Sequence, residues 1–283
     1  MKPILSQEDH HFFEEQGYVV VPDAVPLSLC NDVVEAMFDF LGMNPNDQED
    51  WYREPMPKGG MLELYQHQAL WNVRQHPKLH KIFTEIYGTS KLNVTIDRVG
   101  FKTPRNAAHL EYEHKGFTHW DVNTTKLPVP LGVQAVLCLT DTEANMGGFT
   151  CAPGFHKELN SWIARQPADR NPQVPDLSTL PPGVKVVPIP AKAGSLIIWT
   201  TLLLHGNGYN VSAKPRLSQY VSMFPESVYG EEKRQDRIHS WKEQRPTVEP
   251  YYSGDPTQWE KKNCKVAELT ELGRKLLGID RWE

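Results

Sequence analysis

Residues 194–221, GSLIIWTTLLLHGNGYNVSAKPRLSQYV, contain the stretch that decides the fold class. A glycine turn opens an apolar β-type run that reaches Trp199, and residues 200–204 continue it to His205. The segment after this histidine has turn chemistry, and an extended pattern resumes at Arg216. We therefore expect a strand, a tight connection and a returning strand that bring His205 and Arg216 beside one another.

Similar short β-type segments fill much of the chain between about residues 91 and 224. Because Gly and Pro turns separate them, they predict a sandwich or a barrel. The predicted strands are Leu92–Ile96, Gly132–Thr140, Lys185–Ile189, Ser195–Trp199 and Leu217–Phe224.

The segment Gly132–Thr140 has two unlike faces. Its second face is mixed and begins with Gln134, whereas its first face is wholly apolar and consists of Val133, Ala135, Leu137 and Leu139. Since alternate residues of a strand point to opposite sides, we expect the apolar face to pack on helices and Gln134 to point into the barrel. An inward amide there either contacts a ligand or satisfies neighbouring backbone groups.

Upstream, the triplet His119-Trp120-Asp121 joins His205 and Arg216 as a set of chemically active residues. Residues i and i+2 of an extended segment project to the same side, so His119 and Asp121 can hold one ion together. Two imidazoles and one carboxylate bind Fe(II) on one face and leave the opposite positions open. The arginine supplies a forked, permanently charged partner for a carboxylate ligand.

The triplet alone decides little. With 11 His and 35 acidic residues in 283 positions, about 1.4 His-x-Asp/Glu triplets are expected by chance, and three occur, starting at His109, His119 and His156. A histidine that ends a buried strand and a solvated arginine are also common. The downstream His205 and Arg216 are what separate the second triplet from the other two.

Four motifs in this order resemble the phytanoyl-CoA dioxygenase-like branch of the Fe(II)/2-oxoglutarate oxygenases. Residues 12–23, FFEEQGYVVVPD, are similar to the entry segment of that family, and residues 119–121 to its first ligand motif. Residues 145–157, NMGGFTCAPGFHK, resemble its glycine turn and Pro-Gly-x-His element. Residues 205–216, HGNGYNVSAKPR, resemble its second histidine and cosubstrate arginine. The resemblance covers most of the chain.

The resemblance implies a mainly β fold with flanking helices around a double-stranded β-helix (jelly-roll, cupin-like) core. We expect one oxygenase domain over residues 1–283, with helical support to about residue 90, the core over about 91–224 and a C-terminal extension over about 225–283. Caps and helical periodicity predict a helix after Ser6 and further helices at Leu27–Leu41, His76–Tyr87 and Ala267–Leu277.

The resemblance also implies Fe(II), 2-oxoglutarate and O2 as the cofactors of a dioxygenase. His119, Asp121 and His205 would be the catalytic metal ligands, and Arg216 would bind the distal carboxylate of 2-oxoglutarate. The expected reaction is oxidation of an unactivated C–H bond of a small organic metabolite, with succinate and CO2 as coproducts. Hydroxylation is the preferred form of this oxidation. Desaturation and cyclisation stay open, and the carboxylate at position 121 disfavours chlorination because related halogenases carry a small residue there.

Other residues are weaker candidates for the same pocket. Gln134 and Asn207 are predicted to contact the cosubstrate. The polar, proline-rich stretch Leu159–Gly183 is long for a loop inside a compact domain, and the resemblance favours a lid over the iron. Aromatic and apolar residues of Met61–Trp71 are expected to contribute to the substrate wall.

Composition limits the classes of partner. The net charge of −5 and the scattered basic residues argue against nucleic acid, which needs clustered basic surface. No run reaches the roughly 18 apolar residues of a membrane span, and the N-terminus lacks the pattern of a secretory signal. The four cysteines form no CxxC pair, which fits a reducing cytoplasm and gives no reason to assign them a metal. We expect a cytoplasmic enzyme for a small molecule, of open oligomeric state.

Two other classes of function remain open. A non-haem metal isomerase or lyase of cupin type would use the same triad without 2-oxoglutarate, and Arg216 counts against it. A non-catalytic small-molecule-binding jelly-roll protein would keep the barrel without turnover, and the intact triad counts against it.

Overall fold

The computed structural model describes residues 3–125 and 132–283, in which two antiparallel sheets face each other and helices cover the larger one. The strands are β1 (Tyr18–Val21), β2 (Met61–Leu62), β3 (Leu92–Val94), β4 (Val99–Lys102), β5 (Phe117–His119), β6 (Val133–Cys138), β7 (Phe149–Cys151), β8 (Val187–Pro188), β9 (Leu196–Thr200), β10 (His205–Asn207), β11 (Arg216–Tyr220) and β12 (Met223–Pro225). The helices are α1 (Gln7–Gln16), α2 (Leu27–Leu41), α3 (Gln68–Arg74), α4 (Pro77–Tyr87), α5 (Leu159–Ile163), α6 (Glu231–Lys242), α7 (Trp259–Asn263) and α8 (Glu271–Leu277).

The order of the strands defines the architecture. The large sheet has the order β1-β9-β6-β11-β4-β2, the small sheet has the order β5-β10-β7-β8, and β12 pairs with β3. From β4 to β11, successive strands alternate between the two sheets, except that β7 and β8 are neighbours in the small sheet. This alternation is a double-stranded β-helix, and it confirms the predicted fold class.

The main apolar core lies between the large sheet and the helices. Ala135 and Leu137 of β6, with Leu139 just after it, are at most 2 % exposed and share one cluster with Val33 and Met37 of α2. The predicted helix-facing side of β6 is therefore confirmed. The bounds of α2 also agree with the prediction, because its apolar residues repeat at helical spacing over the whole element.

The space between the two sheets is filled at one end and open at the other. Val136 and Cys138 of β6 pack there against Phe149 of β7 and Trp199 of β9. Gln134 precedes them on the same face, and it lines a cavity whose walls also include Val136, Phe149 and Trp199. The barrel interior therefore changes from apolar packing to polar groups along one strand, and the cavity lies where this change occurs.

The path of the chain from Trp199 to Arg216 differs from the prediction. The strand does not continue to His205: β9 ends at Thr200, a turn with a hydrogen bond from Leu203 N to Thr200 O follows, and β10 lies in the small sheet. The chain then returns to the large sheet as β11. His205 and Arg216 therefore come from facing sheets and not from one hairpin.

Two further element bounds were wrong. The predicted strand Leu217–Phe224 is divided into β11 and β12, and β12 leaves the large sheet to pair with β3. The predicted helix Ala267–Leu277 begins only at Glu271, because the Thr270 hydroxyl caps it by accepting from the backbone N–H of Gly273.

Candidate active site

Two histidines face each other across neighbouring strands of the small sheet. His119, the last residue of β5, is in register with His205, the first residue of β10, and their ring centroids are 4.6 Å apart. Directly opposed residues of antiparallel strands carry their side chains on the same face. Both imidazoles therefore enter the space between the sheets.

Asp121 joins the two rings from the bend after β5. Its Oδ1 lies 3.1 Å from Nε2 of His119, and its Oδ2 lies 3.2 Å from Nε2 of His205. The ligand atoms of the three residues are all within 4.8 Å of one another. Trp120 is fully buried on the opposite side, where its indole N–H donates to Leu202 O at 3.0 Å. The triplet thus presents its first and third residues to one point.

The donor set fits a cation. His205 Nδ1 lies 2.9 Å from Leu203 O, so this nitrogen carries the proton and the Nε2 lone pair faces the Asp121 carboxylate. Two acceptors in contact need a positive ion between them, and two imidazoles with one carboxylate are the set that suits Fe(II). Burial tends to raise the pKa of Asp121, but the neighbouring His119 and His205 rings outweigh burial and hold that pKa below its usual range.

The facing sheet contributes two buried cations. Arg216 begins β11 and Lys102 ends β4, and the two are register partners with 4 % and 8 % of their surface exposed. Arg216 Nε is buried without a hydrogen-bond partner, and Lys102 Nζ donates to Asn207 Oδ1 at 2.9 Å and to Gly208 O. The ion pairs of the described residues include neither cation. A buried cation without a paired anion is costly, so this wall is suited to a carboxylate ligand.

The pKa of Lys102 reflects the burial of this lysine beside a second cation. Burial, with a smaller contribution from the Arg216 guanidinium, lowers the pKa of Lys102 to about 7. Gly100 on β4 leaves room for the guanidinium, since a Cβ at this position would lie 3.5 Å from Arg216 Nη1 and 2.9 Å from Ser218 Oγ.

Lys102 is a site residue that sequence reasoning missed. The sequence gives little indication of this role, because Lys102 only ends a short β-type run in which Val99 and Phe101 are the apolar residues. Only the pairing of β4 with β11 brings it beside Arg216.

A cavity of about 550 Å³ connects two groups of residues. One is the metal-type cluster, which consists of His119, Asp121 and His205, and the other is the cationic wall, which consists of Lys102 and Arg216. Beyond the cluster, the wall contains Phe117, which stacks on His119 with ring centroids 4.4 Å apart. The C-terminal extension adds Tyr251 and Tyr252. These three aromatic residues were not predicted as part of the site.

Only the first residue of the predicted wall segment Met61–Trp71 lines the cavity, and its contact with substrate stays a prediction. Leu62, Leu70 and Trp71 are fully buried in the core between the large sheet and the helices. Their apolar side chains support the sheet and do not reach the ligand space.

Gln134 and Asn207 both line the cavity. Gln134 lies beside the Asp121 carboxylate, and Asn207 lies beside Lys102. Gln134 Nε2 donates to Asp121 Oδ2 at 2.7 Å, whereas Asn207 accepts from Lys102. Their direct contact with the cosubstrate stays a prediction.

The predicted lid, Leu159–Gly183, contacts Trp120, the middle residue of the triplet His119-Trp120-Asp121. Trp162 of α5 is 1 % exposed and packs on Trp120 with ring centroids 5.5 Å apart. Gln173 O accepts from Trp120 N at 2.8 Å, and Gln173 also lines the cavity. The segment is therefore joined to the site, and its movement as a lid stays a prediction.

A double-stranded β-helix that presents two histidines, an aspartate and a facing arginine to one cavity defines an Fe(II)/2-oxoglutarate-dependent dioxygenase. The family described as phytanoyl-CoA dioxygenase (PhyH) matches residues 13–218, and the chain belongs to this family. Fe(II) and 2-oxoglutarate are accordingly its cofactors, and O2 is its oxidant. This class differs from the two alternatives, which were a non-catalytic small-molecule-binding protein and a cupin-type metal isomerase or lyase that works without 2-oxoglutarate.

Individual relatives are distant. A provisionally named phytanoyl-CoA dioxygenase of Dictyostelium discoideum is 24 % identical, over 81 % of this chain and 78 % of that protein. The crystal structure of SnoK, a non-heme alpha ketoglutarate dependent carbocyclase from nogalamycin biosynthesis, has a TM-score of 0.54 and 21 % identity, covering 80 % of this chain and 87 % of its own. GIG2 of Candida albicans reaches a TM-score of 0.75 at 13 % identity, with 99 % and 77 % covered. The structural similarities show a shared fold.

Two further properties of the described residues bear on partners and chemistry. None of their helices combines the length and the apolar character needed to cross a membrane. Cys30, Cys138, Cys151 and Cys264 are all free thiols.

Proposed function

We propose that this dioxygenase hydroxylates an unactivated C–H bond of a small organic metabolite. One 2-oxoglutarate and one O2 are converted to succinate and CO2, and the second oxygen atom enters the substrate as a hydroxyl group. His119, Asp121 and His205 are the proposed iron ligands. The observation that carries the proposal is the convergence of their ligand atoms within 4.8 Å, in a cavity whose facing wall holds two buried cations.

Arg216 and Lys102 are proposed to bind the distal carboxylate of 2-oxoglutarate. A guanidinium and an ammonium in register on neighbouring strands can share the two oxygens of one carboxylate. Burial and, to a smaller extent, the Arg216 charge lower the pKa of Lys102, and a bound anion would offset both effects, so its binding favours the protonated lysine. When bound, iron supplies the site at which the keto acid group and O2 meet.

The half of the cavity beyond the metal ligands supports a substrate whose reacting end carries no anion. Arg98 is the remaining arginine or lysine among the described residues that line the cavity. It pairs with Glu63 at 2.9 Å and lies 4.9 Å from the centre of the Tyr252 ring, so its charge is already neutralised. Phe117 and Tyr251 add aromatic surface. A neutral molecule with apolar or aromatic parts fits this wall best.

One structural relative supports a biosynthetic role, and the free thiols support a cytoplasmic location. SnoK is named for an alpha ketoglutarate dependent reaction in the biosynthesis of a small molecule. Four free cysteines support a reducing compartment, which is part of the proposal.

Turnover assays test the proposal. Protein with Fe(II), 2-oxoglutarate and O2 should release succinate slowly alone and faster with a substrate found in a panel of neutral metabolites. Mass spectrometry with isotopically labelled O2 should find one labelled oxygen in the product. A product that has lost two hydrogens without gaining oxygen would replace hydroxylation by desaturation or ring closure. A protein that binds both cofactors and never forms succinate would refute the proposed reaction.

A further inference from the structure

Gln134 makes a contact that the proposed function leaves unused. Its Nε2 donates to Asp121 Oδ2 at 2.7 Å, which is the shortest of the contacts to this carboxylate. Gln134 Oε1 is shielded from solvent and has no hydrogen-bond partner. The amide therefore reaches a proposed iron ligand directly and keeps its carbonyl group for another donor.

The strand fixes the direction of this side chain. Gln134 is paired with Trp199 of β9, and the next residue, Ala135, is 1 % exposed in the core on the helix side. Because neighbouring residues of a strand point to opposite faces, Gln134 must enter the barrel. β6 has β9 and β11 on its two sides, so the amide is mounted on a strand that is held at both edges.

The chemistry of the two groups fixes which end of the amide faces Asp121. An ionised carboxylate only accepts hydrogen bonds, so Gln134 must present its amino group and turn its carbonyl away. The free carbonyl is an acceptor and is a poor partner for the carboxylates of 2-oxoglutarate. The geometry therefore favours a role on Asp121 over direct binding of the cosubstrate.

We infer that Gln134 is a positioning residue that restricts Asp121 to one metal-binding oxygen. The inference rests on the proposed function. In six-coordinate iron, two histidines and one carboxylate oxygen fill half of the positions and leave the others open. A bound 2-oxoglutarate would need two of the three open positions, so a second oxygen from Asp121 would compete with 2-oxoglutarate and O2 for them. A hydrogen bond from Gln134 to Oδ2 keeps that oxygen off the metal and holds the carboxylate in one orientation.

The test measures binding of Co(II), which replaces Fe(II) without being oxidised by air. Gln134→Met keeps the length of the side chain and removes the donor, while Gln134→Glu keeps the shape and replaces the donor by an acceptor. Both should bind Co(II) about 10- to 100-fold more weakly than the wild type, as expected for loss of a group that orients a metal ligand. The Co(II) absorption spectrum should also change, because a second carboxylate oxygen alters the coordination.

A second readout separates positioning of Asp121 from a general structural role. In Gln134→Met, 2-oxoglutarate should bind the Co(II)-loaded protein about 10-fold more weakly, since the second Asp121 oxygen competes with it for the metal. Its affinity for the metal-free protein should equal that of the wild type, because Arg216 and Lys102 are untouched. Equal losses in both forms would overturn the inference.

Gln173→Met is the matched control. Gln173 lines the same cavity, whereas the Asp121 carboxylate is contacted by His119 and Gln134. Its Co(II) affinity should match the wild type; the same loss as in Gln134→Met would overturn the inference, as would wild-type affinity and spectrum in both Gln134 variants. Thermal unfolding shows whether each variant folds, and the isosteric Gln134→Glu carries the test if Gln134→Met does not. Wild-type protein that binds no Co(II) would instead contradict the proposed ligand set.

Discussion

At the level of single residues, one cation of the cavity responds to pH near neutrality. Burial and, to a smaller extent, the neighbouring Arg216 charge lower the pKa of Lys102 to about 7. Lys102 therefore carries its full charge below pH 7 and loses it above. The ligand-free wall stores an unfavourable interaction that a dicarboxylate can relieve.

The first prediction concerns this lysine. In metal-free protein, the affinity for 2-oxoglutarate should fall as the pH rises through about 7, because the protonated amine that attracts the anion is lost. Lys102→Met should bind about 10-fold or more weakly at low pH and should lose most of this pH dependence. Calorimetric titration at several pH values measures both effects.

One other titratable group bears on that experiment. His114 faces Lys102, and burial lowers the pKa of this histidine, so His114→Gln is the control for its contribution. Affinity that does not depend on pH in the wild type would contradict the role of Lys102.

The second prediction concerns Asp121. Asp121→Asn keeps the size of the side chain but removes the charge that holds a divalent ion between two imidazoles. Co(II) affinity should fall by at least about 100-fold and succinate formation should stop. Asp141→Asn changes an exposed carboxylate that pairs with Lys192 on the surface, and it should bind Co(II) like the wild type. Unchanged affinity in Asp121→Asn would exclude this residue as a ligand.

At the level of elements, the short strand β10 aligns the two histidines. It lies between β5 and β7, and Gly206 sits at its centre. A Cβ at Gly206 would lie 1.8 Å from Phe117 O, closer than any side chain can approach. The strand can therefore pair with β5 only if this position is glycine.

The third prediction follows from that close approach. Gly206→Ala should push β10 away from β5, so that His205 no longer lies opposite His119. We expect a loss of about 3 kcal/mol or more in the free energy of unfolding, with weaker Co(II) binding in the remaining folded protein. At Gly230 a Cβ would meet nothing within 4 Å, and Gly230→Ala should cost about 1 kcal/mol or less. Similar chemical denaturation curves for the two variants would show that the register does not depend on Gly206.

The elements also show which parts of the fold a sequence can predict. α2 and β6 are long enough to display their own periodicity, so their bounds or faces were predictable. β10 consists of His205, Gly206 and Asn207, and these three residues have no strand preference of their own. They form a strand because they pair with β5 and β7. The triplet could be recognised because its spacing is local, whereas Lys102 gains its role only through register with a strand far along the chain.

At the level of the whole molecule, the site combines segments that lie far apart along the chain. The metal-type cluster comes from the small sheet, the cationic wall comes from the large sheet, and Tyr251 comes from the C-terminal extension. Ligands that bridge the two sheets should therefore stabilise the folded protein as a unit.

The fourth prediction is a thermal one. A ligand at 100 times its dissociation constant stabilises a folded protein by about 2.7 kcal/mol, so Mn(II) and then 2-oxoglutarate should each raise the unfolding temperature. In Arg216→Ala the increase from Mn(II) should remain, while the added increase from 2-oxoglutarate should disappear. Differential scanning calorimetry separates the two steps. A full 2-oxoglutarate effect in Arg216→Ala would place the cosubstrate elsewhere.

The central claim is that one cavity holds the metal and the cosubstrate together, and an anaerobic optical titration tests it most directly. Fe(II) and 2-oxoglutarate added together should produce the weak visible charge-transfer absorption of the chelate, which neither produces alone. The band should be absent in Asp121→Ala and should need much more 2-oxoglutarate in Arg216→Ala. No band in the wild type, or an identical band in both variants, would contradict the account.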